Sequence, residues 1–343
     1  MPNELEKLKS LPLFTSLSER DWRGIDLLCD VRNVLEGEVL WLQGEAASEM
    51  AVLLEGEFRV EINEQQLATV PKGELVGELA AFTRDIRTAS IIANLDCEML
   101  IISVQNLELM RESHPKVYDK ILEVSLTRLA IRIQGMNRKI ARISQGTDLA
   151  PSRKEDNMFS KLWKKISGAE NKTPPLAVDA MKKLPKIRGA HPVDIGTIIS
   201  MMTPKFVPKG SPLLIEGEIG ETCYLLVEGC IEVYRNVKGG KAQLLASLFP
   251  GALLGTGALL LKERRNASCV ANKSTDAWVY EMDRKSFHKL QGSAGRIWRE
   301  VLLNALAFQL RMADETLVKL EQGERPTDTD YDKVRKTLSG FQG

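Results

Sequence analysis

Short apolar runs, each closed by a glycine, set the rhythm of the first part of the chain. Val34-Leu-Glu-Gly37 is followed by Leu42-Gln-Gly44-Glu45 and by Val52-Leu-Leu-Glu55-Gly56-Glu57-Phe58-Arg59-Val60. Runs this short, rich in Val and Leu and punctuated by glycine turns, predict the strands of an all-β barrel or sandwich. The rhythm returns in Val207-Pro-Lys-Gly210, Ile215-Glu-Gly217-Glu218 and Leu225-Leu-Val-Glu228-Gly229-Cys230-Ile231-Glu232-Val233. Gly37 and Gly210, Gly44 and Gly217, and Gly56 and Gly229 are each 173 positions apart, so the chain contains an internal duplication. The offset becomes 178 at Gly73/Gly251, Gly77/Gly255 and Arg87/Arg265. Five residues have therefore been added between Val233 and Gly251, where Arg235 to Lys241 reads as a longer hairpin loop.

Helical patterns bracket each copy. Ser18 is placed to cap a helix running through Leu28, and a worn counterpart begins near Leu184-Pro185 and Pro192. Pro115 opens a long helix whose stripe, Tyr118, Leu122, Ser125, Leu129, Ile133, Met136 and Ile140, steps by three or four residues. Residues 297–320 repeat this with Trp298, Leu302, Leu306, Leu310 and Leu317. The first stripe suits a helix laid on its own domain, and equally a homodimer formed through residues 116–142. The expected organisation is domain one at 1–145, a linker at 146–181, domain two at 182–322 and a polar tail at 323–343. The fold class is α+β, mainly β. Within the linker, Phe159, Leu162, Trp163 and Ile166 stand at helical spacing among lysines. Such a segment suits a partner groove or an anionic membrane surface, or simply folds onto a neighbouring domain.

Composition narrows the classes. The chain has 343 residues, a length that fits two domains, and 47 basic against 46 acidic residues, a net charge of +1 that favours neither nucleic acid nor membrane. Cys29, Cys97, Cys223, Cys230 and Cys269 form no Cys-x-x-Cys pair and read as buried thiols of a reducing compartment. No leader-like N-terminus and no run of eighteen apolar residues is present, so a soluble cytoplasmic protein is expected. His114, His191 and His288 are widely separated, and the signatures of nucleotide hydrolases, kinases and serine hydrolases are missing. The chain is expected to be no enzyme and to hold no metal or resident cofactor.

The candidate chemistry lies at residues 77–90, Gly-Glu-Leu-Ala-Ala-Phe-Thr-Arg-Asp-Ile-Arg-Thr-Ala-Ser. Gly77 permits close backbone approach. Leu79, Ala80 and Ala81 start a helical turn whose free N–H groups suit a phosphate. Arg87 adds a planar fork for two phosphate oxygens. Ionised Glu78 only accepts hydrogen bonds, so beside an anion it should face a hydroxyl such as a ribose 2′-OH. The set suits a small phosphodiester carrying a ribose.

This stretch resembles the phosphate-binding cassette of the cyclic-nucleotide-binding family: Gly-Glu-Leu-Ala from Gly77, then Arg87-Thr88-Ala89 ten positions on. The resemblance implies two tandem β-rolls, jelly-roll-like barrels flanked by helices, with the long helix after each acting as a lid over the base or as a subunit contact. It implies a site of Gly77, Glu78, Leu79, Ala80, Arg87, Thr88 and Ala89, with cyclic AMP as ligand. Thr88 also suits cyclic GMP. The second copy keeps Gly255 and Arg265 but has Thr256 in place of Glu78 and Gly257 in place of Leu79. Gly255, Thr256, Arg265 and Asn266 are expected to form a weak second site or none. Transcription-regulating members add a helix-turn-helix of about sixty residues, for which the resemblance leaves no room here, so no DNA binding is expected. Kinase-regulating members carry an arginine-containing pseudosubstrate, and no arginine precedes Leu13. A receptor relaying nucleotide binding to an unidentified protein is the expected function. The alternatives are an unresponsive scaffold and a kinase inhibitor.

Overall fold

The computed structural model describes residues 7–9, 11, 14, 17–145, 172–237 and 241–321. The segment holding Phe159, Leu162, Trp163 and Ile166 and the polar tail lie outside these residues. The chain divides into two compact units, residues 1–126 and 127–343.

In the first unit, helix α1 (Glu19–Leu28) precedes strands β1 (Asp30–Val34), β2 (Val39–Trp41), β3 (Glu49–Glu55), β4 (Glu57–Ile62), β5 (Gln65–Pro71) and β6 (Leu75–Val76). Helix α2 (Glu78–Thr83), strands β7 (Ser90–Ala93) and β8 (Cys97–Ser103) and helix α3 (Val104–Ser113) follow. Helix α4 (Pro115–Gln145) begins in this unit and continues past its boundary. Two four-stranded antiparallel sheets, ordered β1-β8-β3-β6 and β2-β7-β4-β5, face each other. Ala51, Leu53, Phe58, Val76, Ile91, Met99 and Ile101 interdigitate between them, as expected of aligned sheets whose alternate residues point inward. Ser18 caps α1 in a full capping box: its hydroxyl accepts from the Asp21 N–H, and the Asp21 carboxylate accepts from the Ser18 N–H. Asn63 and Glu64, both at positive φ, make the two-residue turn between β4 and β5.

The second unit repeats the plan. It contains α5 (Val178–Met181), a short 3-10 turn at Pro185–Ile187, α6 (Pro192–Ser200), β9 (Thr203–Val207), β10 (Pro212–Leu214), β11 (Thr222–Glu228), β12 (Ile231–Val237), β13 (Lys241–Leu248) and β14 (Leu253–Leu254). Then come α7 (Thr256–Leu261), β15 (Ser268–Ala271), β16 (Ala277–Asp283), α8 (Arg284–Lys289) and α9 (Gly292–Glu321). Its sheets are ordered β10-β15-β12-β13 and β14-β11-β16-β9, matching the first unit strand for strand. The added residues differ from expectation: Arg235, Asn236 and Val237 lie in β12, paired with Gln243, Ala242 and Lys241 of β13. Backbone pairing satisfies N–H and C=O groups that a loop would leave to water, so the insertion lengthens the hairpin's strands.

The stripe on α4 is buried at Tyr118, Leu122, Ser125, Leu129, Ile133 and Ile140 and half-buried at Met136. Val117, Ile121, Leu126 and Ala130 are buried too, so the covered face is wider than one stripe of period 3.6. Among the described residues, no helix is long and apolar enough to cross a membrane.

Candidate nucleotide-binding cassette

The turn from β6 into α2 places the candidate residues. Gly77 caps α2 at φ +75°, a left-handed conformation that glycine adopts without strain. A Cβ there would lie 2.5 Å from Arg87 Nη1 and 2.6 Å from Trp41 Cζ3, so glycine is required by the packing behind the turn as well as by its dihedral. Helix α2 ends at Arg84, also left-handed, whose N–H returns to the Ala80 carbonyl. The chain then runs back antiparallel to residues 44–46, where the Arg87 N–H donates to Glu45 O at 2.7 Å and the Gly44 N–H donates to Arg87 O at 2.9 Å.

Arg87 is 3% exposed. Its Nη1 donates to the Gly77 carbonyl at 3.2 Å and its Nη2 to the Glu49 carbonyl at 2.6 Å. The guanidinium carbon sits 3.8 Å from the centre of the Trp41 ring, within cation–π range. Its Nε is buried without a hydrogen-bond partner. A sealed, unpaired donor on a cationic group costs about 1–3 kcal/mol, and an anion would relieve that cost. Burial pulls the Arg87 pKa below its usual value, while the charges of Glu49, Glu45 and Glu78 act in the opposite direction.

Glu49 anchors the other side of Trp41. Its Oε1 accepts from Trp41 Nε1 at 3.1 Å, and its two oxygens accept from Arg32 at 2.6 and 3.0 Å. Burial raises the Glu49 pKa, but the hydrogen bonds from Arg32 and Trp41 and the charges of Arg32 and Arg87 more than offset it, leaving the carboxyl below the ordinary range. Sequence reasoning missed Trp41, Glu49 and Arg32. The signal available was the repeat itself, since the positions 173 further on hold Leu214, Thr222 and Lys205.

The other expected residues gather at the same turn. Glu78 and Leu79 are half-buried at the start of α2, Ala80 and Ala89 are buried, and Thr88 is half-buried beside Arg87. Phe82 of α2 meets Tyr118 of α4 edge to face, with ring centres 5.6 Å apart, which ties the cassette to the helix that follows the β-roll.

The second cassette has the same backbone and different contents. Gly255 caps α7 at φ +74°, and Arg265 is again buried. Its Nη1 donates to Gly255 O at 3.1 Å and its Nη2 to the Thr222 hydroxyl at 2.8 Å. A Cβ on Gly220 would lie 2.2 Å from Arg265 Nε, so this arginine packs against main chain where Arg87 packs against an indole. Thr256, in the Glu78 position, is 1% exposed, and its hydroxyl accepts from Gln309 of α9 at 3.4 Å. Asn266 is exposed.

Comparison with known proteins assigns the chain to a family. The model of the cyclic nucleotide-binding domain matches residues 31–114 and 204–293, slightly more than half of the chain. The chain belongs to the cyclic nucleotide-binding domain family. Within that family, the cyclic AMP receptor protein of Thermus thermophilus is 33% identical over 96 residues, which are 28% of this chain and 44% of that protein. The cGMP-dependent protein kinase 2 of Rattus norvegicus is 26% identical over 263 residues, 76% of this chain and 27% of the kinase. The chain thus spans less than half the length of either relative. Among solved structures, the Thermus thermophilus catabolite activator protein aligns at 27% identity and TM-score 0.35 over 40% of this chain and 62% of that one. The regulatory domain of Toxoplasma gondii PKA, crystallised with cAMP, aligns at 17% identity and TM-score 0.31 over 87% and 94%.

Proposed function

We propose that the first cassette binds cyclic AMP and that the chain is a non-catalytic cytoplasmic receptor passing this event to a protein partner. The observation that carries the reading is Arg87: a buried guanidinium with an unpaired Nε, set behind the Gly77 turn with Glu78 close enough to act on its charge. A phosphodiester supplies the missing anion, and Glu78 accepts from the ribose hydroxyl. The contact between Phe82 and Tyr118 supports a relay in which a shift of α2 moves the start of α4. In the second cassette, Thr256 carries no charge and is covered by its own domain's last helix. That unit is read as structural, with one nucleotide bound per chain.

Replacing Glu78 with Gln should weaken cyclic AMP less than replacing Arg87 does, because the amide oxygen still accepts one hydrogen bond. Most of the Glu78→Gln effect should vanish with 2′-deoxy cyclic AMP, read by titration of both proteins with both ligands. Equal losses in wild type and mutant on changing to the deoxy ligand would remove Glu78 from the ribose.

Base preference rests on the cyclic AMP receptor similarity and on Thr88, whose hydroxyl permits guanine without requiring it. A single added hydrogen bond contributes about 0.5–1.5 kcal/mol. Displacement of a fluorescent cyclic nucleotide should therefore show cyclic AMP binding at least as tightly as cyclic GMP, with Thr88→Ala lowering only cyclic GMP affinity. A tenfold preference of wild type for cyclic GMP, lost in Thr88→Ala, would reverse the choice of ligand.

A further inference from the structure

Arg87 is held by an unusual support. Its hydrogen bonds go to two backbone carbonyls, Gly77 O and Glu49 O, which carry only partial charge. The guanidinium carbon lies over the Trp41 indole, 3.8 Å from the ring centre. Trp41 is 7% exposed and fixed at its far end by the hydrogen bond from Nε1 to Glu49, which Arg32 grips with both donors. The order is therefore Arg32, Glu49, Trp41, Arg87, with each member restraining the next. Such a chain fixes the position of the arginine fork before any ligand arrives, and prior ordering of this kind raises affinity by removing a cost of binding. Cation–π attraction is strongest where water is excluded, as it is at this depth.

The duplication supplies an internal contrast. At the equivalent positions the second unit has Lys205, Thr222 and Leu214, so all three supports differ while the arginine remains. Arg265 is held there by the Thr222 hydroxyl and the Gly255 carbonyl, and Lys205 pairs instead with Glu281 at 3.5 Å.

We propose that Trp41, pinned through Glu49 by Arg32, is the positioning residue of the phosphate grip, and that its indole sets the Arg87 guanidinium for an anionic phosphodiester. This rests on the nucleotide reading given above. The two are separable, because absence of cyclic AMP binding by the wild-type chain removes that reading, whereas the present proposal concerns differences among binding variants.

The test is a set of cyclic AMP affinities on the full chain. Trp41→Leu, which installs the residue of the second copy, should weaken binding about tenfold or more, and Trp41→Phe, which keeps an aromatic face, should stay within about threefold of wild type. Glu49→Ala, which frees the indole at a half-buried position and leaves the core untouched, should weaken binding about threefold and reports on the support even where Trp41→Leu does not fold. The distinguishing readout is coupling: in an Arg87→Lys background, where no planar cation stacks, Trp41→Leu should cost less than about threefold. Wild-type affinity in Trp41→Leu, failure of Trp41→Phe to restore binding, no effect of Glu49→Ala, or an undiminished tenfold cost in the Arg87→Lys background would each overturn the proposal.

Discussion

Arg87→Leu is expected to remove cyclic-nucleotide binding and leave the β-roll folded. Truncating one partner of a buried charge pair costs about 2–5 kcal/mol, roughly 30-fold to several thousandfold in affinity, and in the bound state the phosphate would be that partner. The fold should tolerate the change. Leucine replaces the aliphatic stem, and the Gly77 carbonyl keeps the Ala81 N–H at 3.2 Å. Among the described residues Arg87 hydrogen-bonds only to backbone carbonyls, so its removal strands no buried carboxylate partner and spares the cost of burying a charge. Thermal unfolding should shift by about 1 kcal/mol or less, while titration should detect no binding at nucleotide concentrations that saturate the wild type. Retention of affinity within threefold would place the phosphate elsewhere.

Gly77→Ala should be nearly as damaging to binding, by a different route and with a cost in stability. The backbone is left-handed at φ +75°, where a non-glycine residue costs about 1–2 kcal/mol. The new methyl would also stand 2.5 Å from Arg87 Nη1 and 2.6 Å from the Trp41 ring. Arg87 cannot withdraw without releasing the Gly77 and Glu49 carbonyls. Affinity should fall more than about tenfold, as expected when a charged grip is displaced. Gly37→Ala is the control. Its φ is +83°, but nothing lies within 4 Å of its added Cβ, so it should lose stability by the same backbone penalty and keep its affinity. Denaturant unfolding and cyclic AMP titration of both variants separate the two effects. Equal affinities would show that the space behind Gly77 has no bearing on the ligand.

The glycines explain how much of this architecture was legible in the sequence. Gly37, Gly44, Gly56, Gly73 and Gly77, with Gly210, Gly217, Gly229, Gly251 and Gly255, all take positive φ. The repeated spacing therefore recorded the turns of a β-roll twice over, and the strands fell between them. The cap at Ser18 and the start of α4 at Pro115 were equally plain, because both are local rules. The support behind Arg87 was less visible. Trp41 in a strand reads as core, and nothing local says that its ring lies under an arginine 46 positions away. Glu49 reads as a solvated strand end, although its carboxylate accepts from both Arg32 on β1 and Trp41 on β2 of the facing sheet. The hairpin of β12 and β13 misled for a related reason, since Lys238, Gly239 and Gly240 carry the turn signal and the polar residues before them pair across the sheet.

The most direct test of the central claim is calorimetric titration of the wild-type chain, Arg87→Leu and Arg265→Leu with cyclic AMP. One saturable equivalent per chain, lost in Arg87→Leu and kept in Arg265→Leu, is the result expected if the first cassette alone holds the nucleotide. No saturable binding by the wild type, or one equivalent that survives Arg87→Leu and disappears in Arg265→Leu, would contradict it.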